Sequence, residues 1–173
     1  MKTTHLRAAI VLLGLCLLLV AGGCKKEYIH VGKNWDFIHK LKKSENSFQV
    51  VVSGTSSAEI GGDLQYTVTS EKDGKLWVVQ VDPDDELSLL FPNEVATDNT
   101  IRAERPLLLP PTNGEWAIEA SEPAGESVVV FVVTTGDVDI DDILVDENSM
   151  AKAMRIIEKT PSWGFARKVV EIH

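Results

Sequence analysis

Apolar and polar positions alternate with different periods along the chain, and the changes of period divide it. Ala8 to Val20 is an almost unbroken apolar run. Trp35, Phe37, Ile38 and Leu41 then recur at helical spacing, with Asn34 placed to cap a short helix. From Phe48 the period shortens. Phe48 to Val52 is β-branched, and Leu64, Tyr66 and Val68 alternate with polar neighbours. Leu76 to Val81 is apolar nearly throughout, which predicts a strand buried on both faces, and Leu87 to Phe91 follows it. With the strand at 63–69 these form an expected three-stranded meander. Glu71 to Gly74 and Pro83 to Glu86 are its turns, with Gly74 offering an inexpensive positive φ.

Ile101 to Leu109 reads as extended and Trp116 to Ala120 as a strand. Val128 to Val133 is the best candidate for a central strand. Met150, Ala153, Met154 and Ile157 return to helical spacing behind Asp146, Asn148 and Ser149, which predicts a helix over about 147–159 that Pro161 stops. A last strand is expected over 165–172. The fold class is therefore mainly β with an added C-terminal helix (α+β), as a β-sandwich or barrel-like antiparallel sheets. One mostly-β domain spans 48–173, and 24–47 is a spacer with a short amphipathic helix.

The first apolar run is about 13 residues, against the roughly 20 that a membrane-spanning helix needs. Lys2 and Arg7 precede it and Ala21-Gly22-Gly23 follow, so residues 1–23 have the three parts of an export signal. Small residues directly before Cys24 resemble the bacterial lipobox, although Ala21 stands where Leu is usual. That resemblance implies cleavage before Cys24 and diacylglycerol on its thiol. Lys25, in place of the Asp that retains such proteins at the inner membrane, implies the outer membrane facing the periplasm; the alternative is the outer face of the inner membrane. The chain's two cysteines are Cys16, inside the signal, and Cys24, so the remaining domain is expected to depend on packing without disulfides.

Charge is distributed unevenly. Beyond the signal there are 15 basic and 26 acidic residues, a net −11. Residues 24–60 carry +2, residues 61–150 carry −16 and residues 151–173 carry +3. An acidic body excludes nucleic acid as a partner, because that requires a basic footprint. It also stands off anionic headgroups, while the early lysines are free to lie against them.

Catalytic chemistry is sparse. No Gly-x-Ser-x-Gly elbow and no Gly-x4-Gly-Lys phosphate loop is present. No cofactor is expected and the chain is read as a non-enzyme, with a hydrolase as the remotest alternative. Two acid clusters bear on metal binding. Asp82, Asp84, Asp85 and Glu86 crowd one turn without EF-hand spacing and read as solvated. Asp137, Asp139 and Asp141 alternate with Val138 and Ile140. On a strand they would repel, so they are a candidate calcium site, or a segment where Asp142 caps a helical turn.

Several short motifs follow one another in a recognisable order. They are Gly62-Asp63-Leu64, Gly74-x-Leu76, Val81-Asp82, Leu89-Leu90-Phe91-Pro92-Asn93, Asn99-x-Ile101 and Glu122-Pro123-x-Gly125, before an apolar strand ending at Thr134. Over about residues 60–135 this order resembles the bacterial family known as domain of unknown function 4384. The resemblance implies an accessory or recognition role, since the family occurs in envelope lipoproteins and beside protease or kinase domains; it carries over no catalytic residue. Pro92, Asn93, Glu94 and Asn99 mark the candidate binding loop. The expected function is a membrane-anchored, non-catalytic adaptor that binds another envelope protein. The alternative is a module for cell-wall glycan or a small ligand, using Trp35, Trp77, Trp116 or Trp163.

Overall fold

The two longest internal apolar runs form the centre of the molecule. The computed structural model describes residues 32–112 and 114–173, so the export signal and Cys24 lie outside the described residues. Leu76 to Val81 belongs to β4 (Gly74–Val81), and the valine run to β8 (Gly125–Thr134). They pair antiparallel from Lys75↔Thr134 to Val81↔Val128. β9 (Trp163–Ile172) pairs with β8 along its whole length, from Gly125↔Ile172 to Thr134↔Trp163. β5 (Leu87–Phe91) and β6 (Thr100–Ile101) share the other edge of β4. β2 (Ser57–Ala58) lies parallel to the end of β9. The order β2-β9-β8-β4-β5 leaves β2 and β5 as ends, so this sheet is open rather than a closed barrel.

A smaller sheet, β1-β3-β7, is built from β1 (Val50–Gly54), β3 (Tyr66–Ser70) and β7 (Leu107–Leu109). It covers one face of the large sheet, where Leu76, Val78, Val129, Phe131 and Val133 meet Val50, Tyr66, Val68 and Leu109. Among the described residues, three helices cover the other face. They are α1 (Lys33–Lys40), α2 (Asp141–Val145) and α3 (Met150–Ile157). Trp77, Val79, Val81, Val128, Val130 and Val132 meet Ile38, Leu144, Met154 and Ile157 there. Burial on both faces is why β4 and β8 show no polar alternation. Each fully buried valine in them is worth roughly 1.5–3 kcal/mol relative to exposure.

α1 docks by its apolar side, with Trp35, Ile38 and Leu41 buried, as its periodicity predicts. Its ends are held from elsewhere in the chain. At the start, the Asp85 carboxylate accepts hydrogen bonds from the backbone N–H of Asn34 (3.2 Å) and Trp35 (2.9 Å). At the end, Arg167 on β9 donates to the carbonyls of Ile38 and Leu41. A carboxylate at the N-terminus and a guanidinium at the C-terminus both complement the helix dipole.

Several expectations need correction. β3 and β4 are not hairpin neighbours: β3 pairs with β1 and β7, and β4 with β8, β5 and β6, so the meander does not form. The chain crosses between sheets at Glu71–Asp73, where buried Ser70 accepts from Lys72 N–H and donates to Lys72 O. Gly74 is not needed for a positive φ. A Cβ there would stand 2.4 Å from the carbonyl oxygen of Thr134 on β8, so the requirement is close approach. Ile101 to Leu109 splits between two sheets, with Glu104 in the left-handed region between the pieces (φ 57). Trp116–Ala120 contributes only an isolated bridge, Glu119 to Asp63. Asn34 does not cap α1, whose N-cap is Gly32; its side chain accepts from Met150 N–H at the start of α3 (3.1 Å).

Candidate functional site

The Pro92–Asn99 loop leaves β5 and rejoins the large sheet at β6, passing beside α2. Asn93 shapes the loop. Its Oδ1 accepts from Val95 N–H (3.1 Å) and Ala96 N–H (2.8 Å), and its Nδ2 donates to Leu90 O (3.1 Å). Phe91, just before it, is buried and stacked on Trp116 with ring centroids 6.2 Å apart. The Leu-Phe-Pro-Asn element is thus a folded corner, and what it positions is the loop beyond.

Between that loop and α2 lies an open cleft of about 330 Å³, lined by Leu89, Pro92, Asn93, Glu94, Thr97, Asp141 and Val145. A smaller recess of about 180 Å³ continues from it, sharing Pro92, Thr97 and Asp141 and adding Lys75, Trp77, Asn99, Val138 and Asp139. Two groups of residues singled out in the sequence therefore meet here. Pro92, Asn93, Glu94 and Asn99 form one wall, and Asp139 and Asp141 the other. Asp137 stands beside them through Lys75. The candidate loop and the candidate acids are parts of one feature, which their separation in the chain hides.

The three aspartates do not converge on a common point. Asp137 pairs with the Lys75 ammonium at 2.5 Å. Asp139 accepts from Asp141 N–H (3.1 Å), at the start of α2. Asp141 accepts the indole N–H of Trp77 (2.8 Å), a side chain 1% exposed that would otherwise hold an unmet donor. Among the described residues, no group of three or more His, Cys, Asp or Glu is placed to hold a metal ion. The hydrogen bond from Lys75, then its charge, holds the Asp137 carboxyl below the usual range. Asp137 in turn raises Lys75, first through that hydrogen bond, and the charges of Asp139 and Asp141 add to the effect. The field in the recess is negative.

Apolar and charged surfaces adjoin in the cleft. Leu89 and Pro92 contribute apolar area, and Val145 on its rim is 60% exposed. Val95 in the loop is 61% exposed. These are the two most exposed large apolar side chains among the described residues. Sequence reading missed Lys75 and Val145, and it named Trp77 only as a glycan candidate and Leu89 only within a motif. α2 has only five residues, too few to show a period, so nothing local marked Val145 as exposed.

The other candidates fare differently. Asp82, Asp84, Asp85 and Glu86 form a closed turn in which Asp82 Oδ1 accepts from Asp84 and Glu86 N–H, both at 2.9 Å. Trp35, Trp77 and Trp163 are buried, which removes three of the four aromatics proposed for glycan binding. Trp116 remains half-buried in a separate cleft of about 320 Å³ with Asp63, Gln65 and Pro110. Ser57 Oγ lies 2.9 Å from His173 Nε2 on the surface. Neither residue lines any of the clefts described above, and among the described residues no carboxylate is recorded on the ring's other nitrogen. A Ser–His contact without an orienting acid or an oxyanion pocket lacks the parts of a hydrolytic triad. No helix among the described residues is long and apolar enough to cross a membrane.

These features define a mainly β domain of three layers, helices on a six-stranded sheet on a three-stranded sheet, with an acidic-apolar cleft at one edge. Residues 57–137 match the family model described as Domain of unknown function (DUF4384). The match runs from β2 past the end of β8 and includes the cleft's loop wall. No curated protein matches the chain.

Proposed function

We propose that this chain is a bacterial envelope lipoprotein, anchored through lipid on Cys24, that binds a segment of another envelope protein in the cleft between the Pro92–Asn99 loop and α2. The observation that carries this reading is exposed Val145, with Leu89 and Pro92, beside the carboxylates of Glu94, Asp139 and Asp141 along one cleft, and exposed Val95 in the loop that walls it. Such a surface suits a peptide with an apolar residue next to a lysine or arginine. The apolar contact supplies affinity and the charge supplies orientation. The anchor supplies local concentration, since a lipoprotein cysteine carries more than one acyl chain and a single chain holds only marginally.

A photo-crosslinking residue placed in living cells at Val95 or Val145, with Val51 on the outer face of the small sheet as control, tests this. One envelope protein captured from both the loop and the cleft position, absent from Val51 and lost in Cys24→Ala, is the expected result. Capture from Val51 alone overturns the cleft. No partner above background from any position moves the weight to glycan binding at Trp116, whose fluorescence would then report added peptidoglycan fragments.

A further inference from the structure

One helix from each of the two basic stretches of an otherwise acidic chain lies in the same layer. α1 and α3 pack against each other on the same face of the large sheet. In α1, Lys33, Phe37 and Lys40 follow at spacings of four and three, which puts them on one stripe. In α3 and the residue pair beyond it, Lys152, Ile156 and Lys159 repeat that spacing, with Arg155 beside them. Phe37 and Ile156 are half-buried: each packs against the helix-side core while part of its side chain still reaches solvent. The lysines around them and Arg155 are exposed. The acids on or paired to these stretches are Asp36, which pairs with Lys40 at 3.7 Å, Glu147, which pairs with Lys152, and Glu158.

We infer that the outer side of α1 and α3 lies on an anionic phospholipid surface. The inference rests on the anchor reading above. A half-exposed apolar residue between long cationic side chains is the composition of an interfacial helix, with the ammonium groups reaching the headgroups and their stems covering apolar area. The place of attachment agrees. Cys24 precedes Gly32 by eight residues, so full extension allows at most about 28 Å between the acyl chains and the start of α1. That is short enough to keep α1 at the surface. The acidic remainder is repelled by the same headgroups, so the charge distribution orients the domain as well as attracting it. Lys168 gives an internal reference, because it alternates with Arg167 and faces the other side of β9.

The test uses the full-length lipidated protein on vesicles of phosphatidylcholine, or of equal parts phosphatidylcholine and phosphatidylglycerol. Amine acylation of individual lysines is read by mass spectrometry. Lys33, Lys40 and Lys159 are expected to react about fivefold or more slowly on the anionic vesicles than on the neutral ones, and Lys168 equally on both. At about 1 M salt, where screening acts within about 3 Å, the difference should vanish. Lys33→Glu with Arg155→Glu should abolish the protection of Lys40 and Lys159 without moving the thermal midpoint. Equal labelling on both vesicles overturns the inference, and so does protection that survives the double substitution. Protection found only in cell-derived membranes also overturns it, in favour of an acidic protein on this face. Flotation separates the two readings. A chain that floats with anionic vesicles only retains the face and loses the anchor, and one that floats with neither loses both.

Discussion

Asp82 to Glu86 and Asp137 to Asp141 are both crowded with acids, yet the sets of donors that meet their carboxylates differ. In the first segment the donors are backbone N–H groups and an amide. Asp82 closes its own turn, Asp85 caps α1 from a left-handed conformation (φ 69), and Glu86 accepts from Asn148 (2.6 Å). Asn34, 5% exposed, ties the cluster together by donating to Asp85 O and Asn148 O and accepting from Met150 N–H. This cluster is a clasp that joins α1, the β4–β5 turn and α3. In the second segment one donor is again a backbone N–H, that of Asp141 onto Asp139, but the others are a surface ammonium and an indole, and the carboxylates of Asp139 and Asp141 still border an open cleft. Crowded acids are thus a weak guide to metal. What decides their role is which N–H groups the fold brings to them, and whether any surface is left over.

That contrast is open to direct attack. The largest effect is expected at the clasp. Asp85→Ala removes two charge-assisted bonds from the first turn of α1 and puts alanine at positive φ, and should cost about 2 kcal/mol in denaturant unfolding. Asp85→Asn should recover part of this, because asparagine tolerates the left-handed region and still accepts. An Asp85→Ala protein as stable as the parent would mean that α1 does not depend on the clasp. Next, Asp141→Ala leaves the buried Trp77 indole N–H without its acceptor and should cost about 1 kcal/mol, with a shift of tryptophan emission. Loss of partner capture from Val145 in the same variant would connect that bond to the cleft.

The smallest effect concerns Lys75 and Asp137. The folded Asp137 carboxyl titrates below its unfolded counterpart. The pair therefore stabilises the fold above the ordinary carboxylate range, and this is lost as pH falls through the folded value. Lys75 is shifted upward, so its share is lost only at alkaline pH as the ammonium deprotonates. Lys75→Ala should leave the midpoint near neutral pH almost unchanged and make the acid limb of the thermal midpoint shallower. A steeper limb would refute the assignment.

How much was readable beforehand follows from the same physics. β4, β8 and β9 were legible because long apolar or alternating runs leave few choices, and α1 and α3 because four apolar positions at helical spacing set a face. Sheet membership was not legible. β3 and β4 are joined by a turn like that of a hairpin, but buried Ser70 and the close approach of Gly74 to Thr134 send them into different layers. At the cleft, the loop wall carried a motif and the acid wall a composition. Nothing in either said that they adjoin, because α2 and the long connection between them set that distance.

The position of β9 has a consequence for how the domain comes into being. It stands between β2 and β8, yet it follows every other strand in the chain. Until Trp163 to Ile172 has been synthesised, β8 has one edge unpaired along ten positions and β2 has no partner at all. A ribosome that has finished the family segment, 57–137, therefore holds a chain that cannot yet complete its larger sheet. Pairing across such sequence separations is slow to nucleate and rewarded late. Completion of the larger sheet is thus deferred until translation has passed β9. Any fragment designed to stop at residue 137 would expose the β8 edge as a template for aggregation.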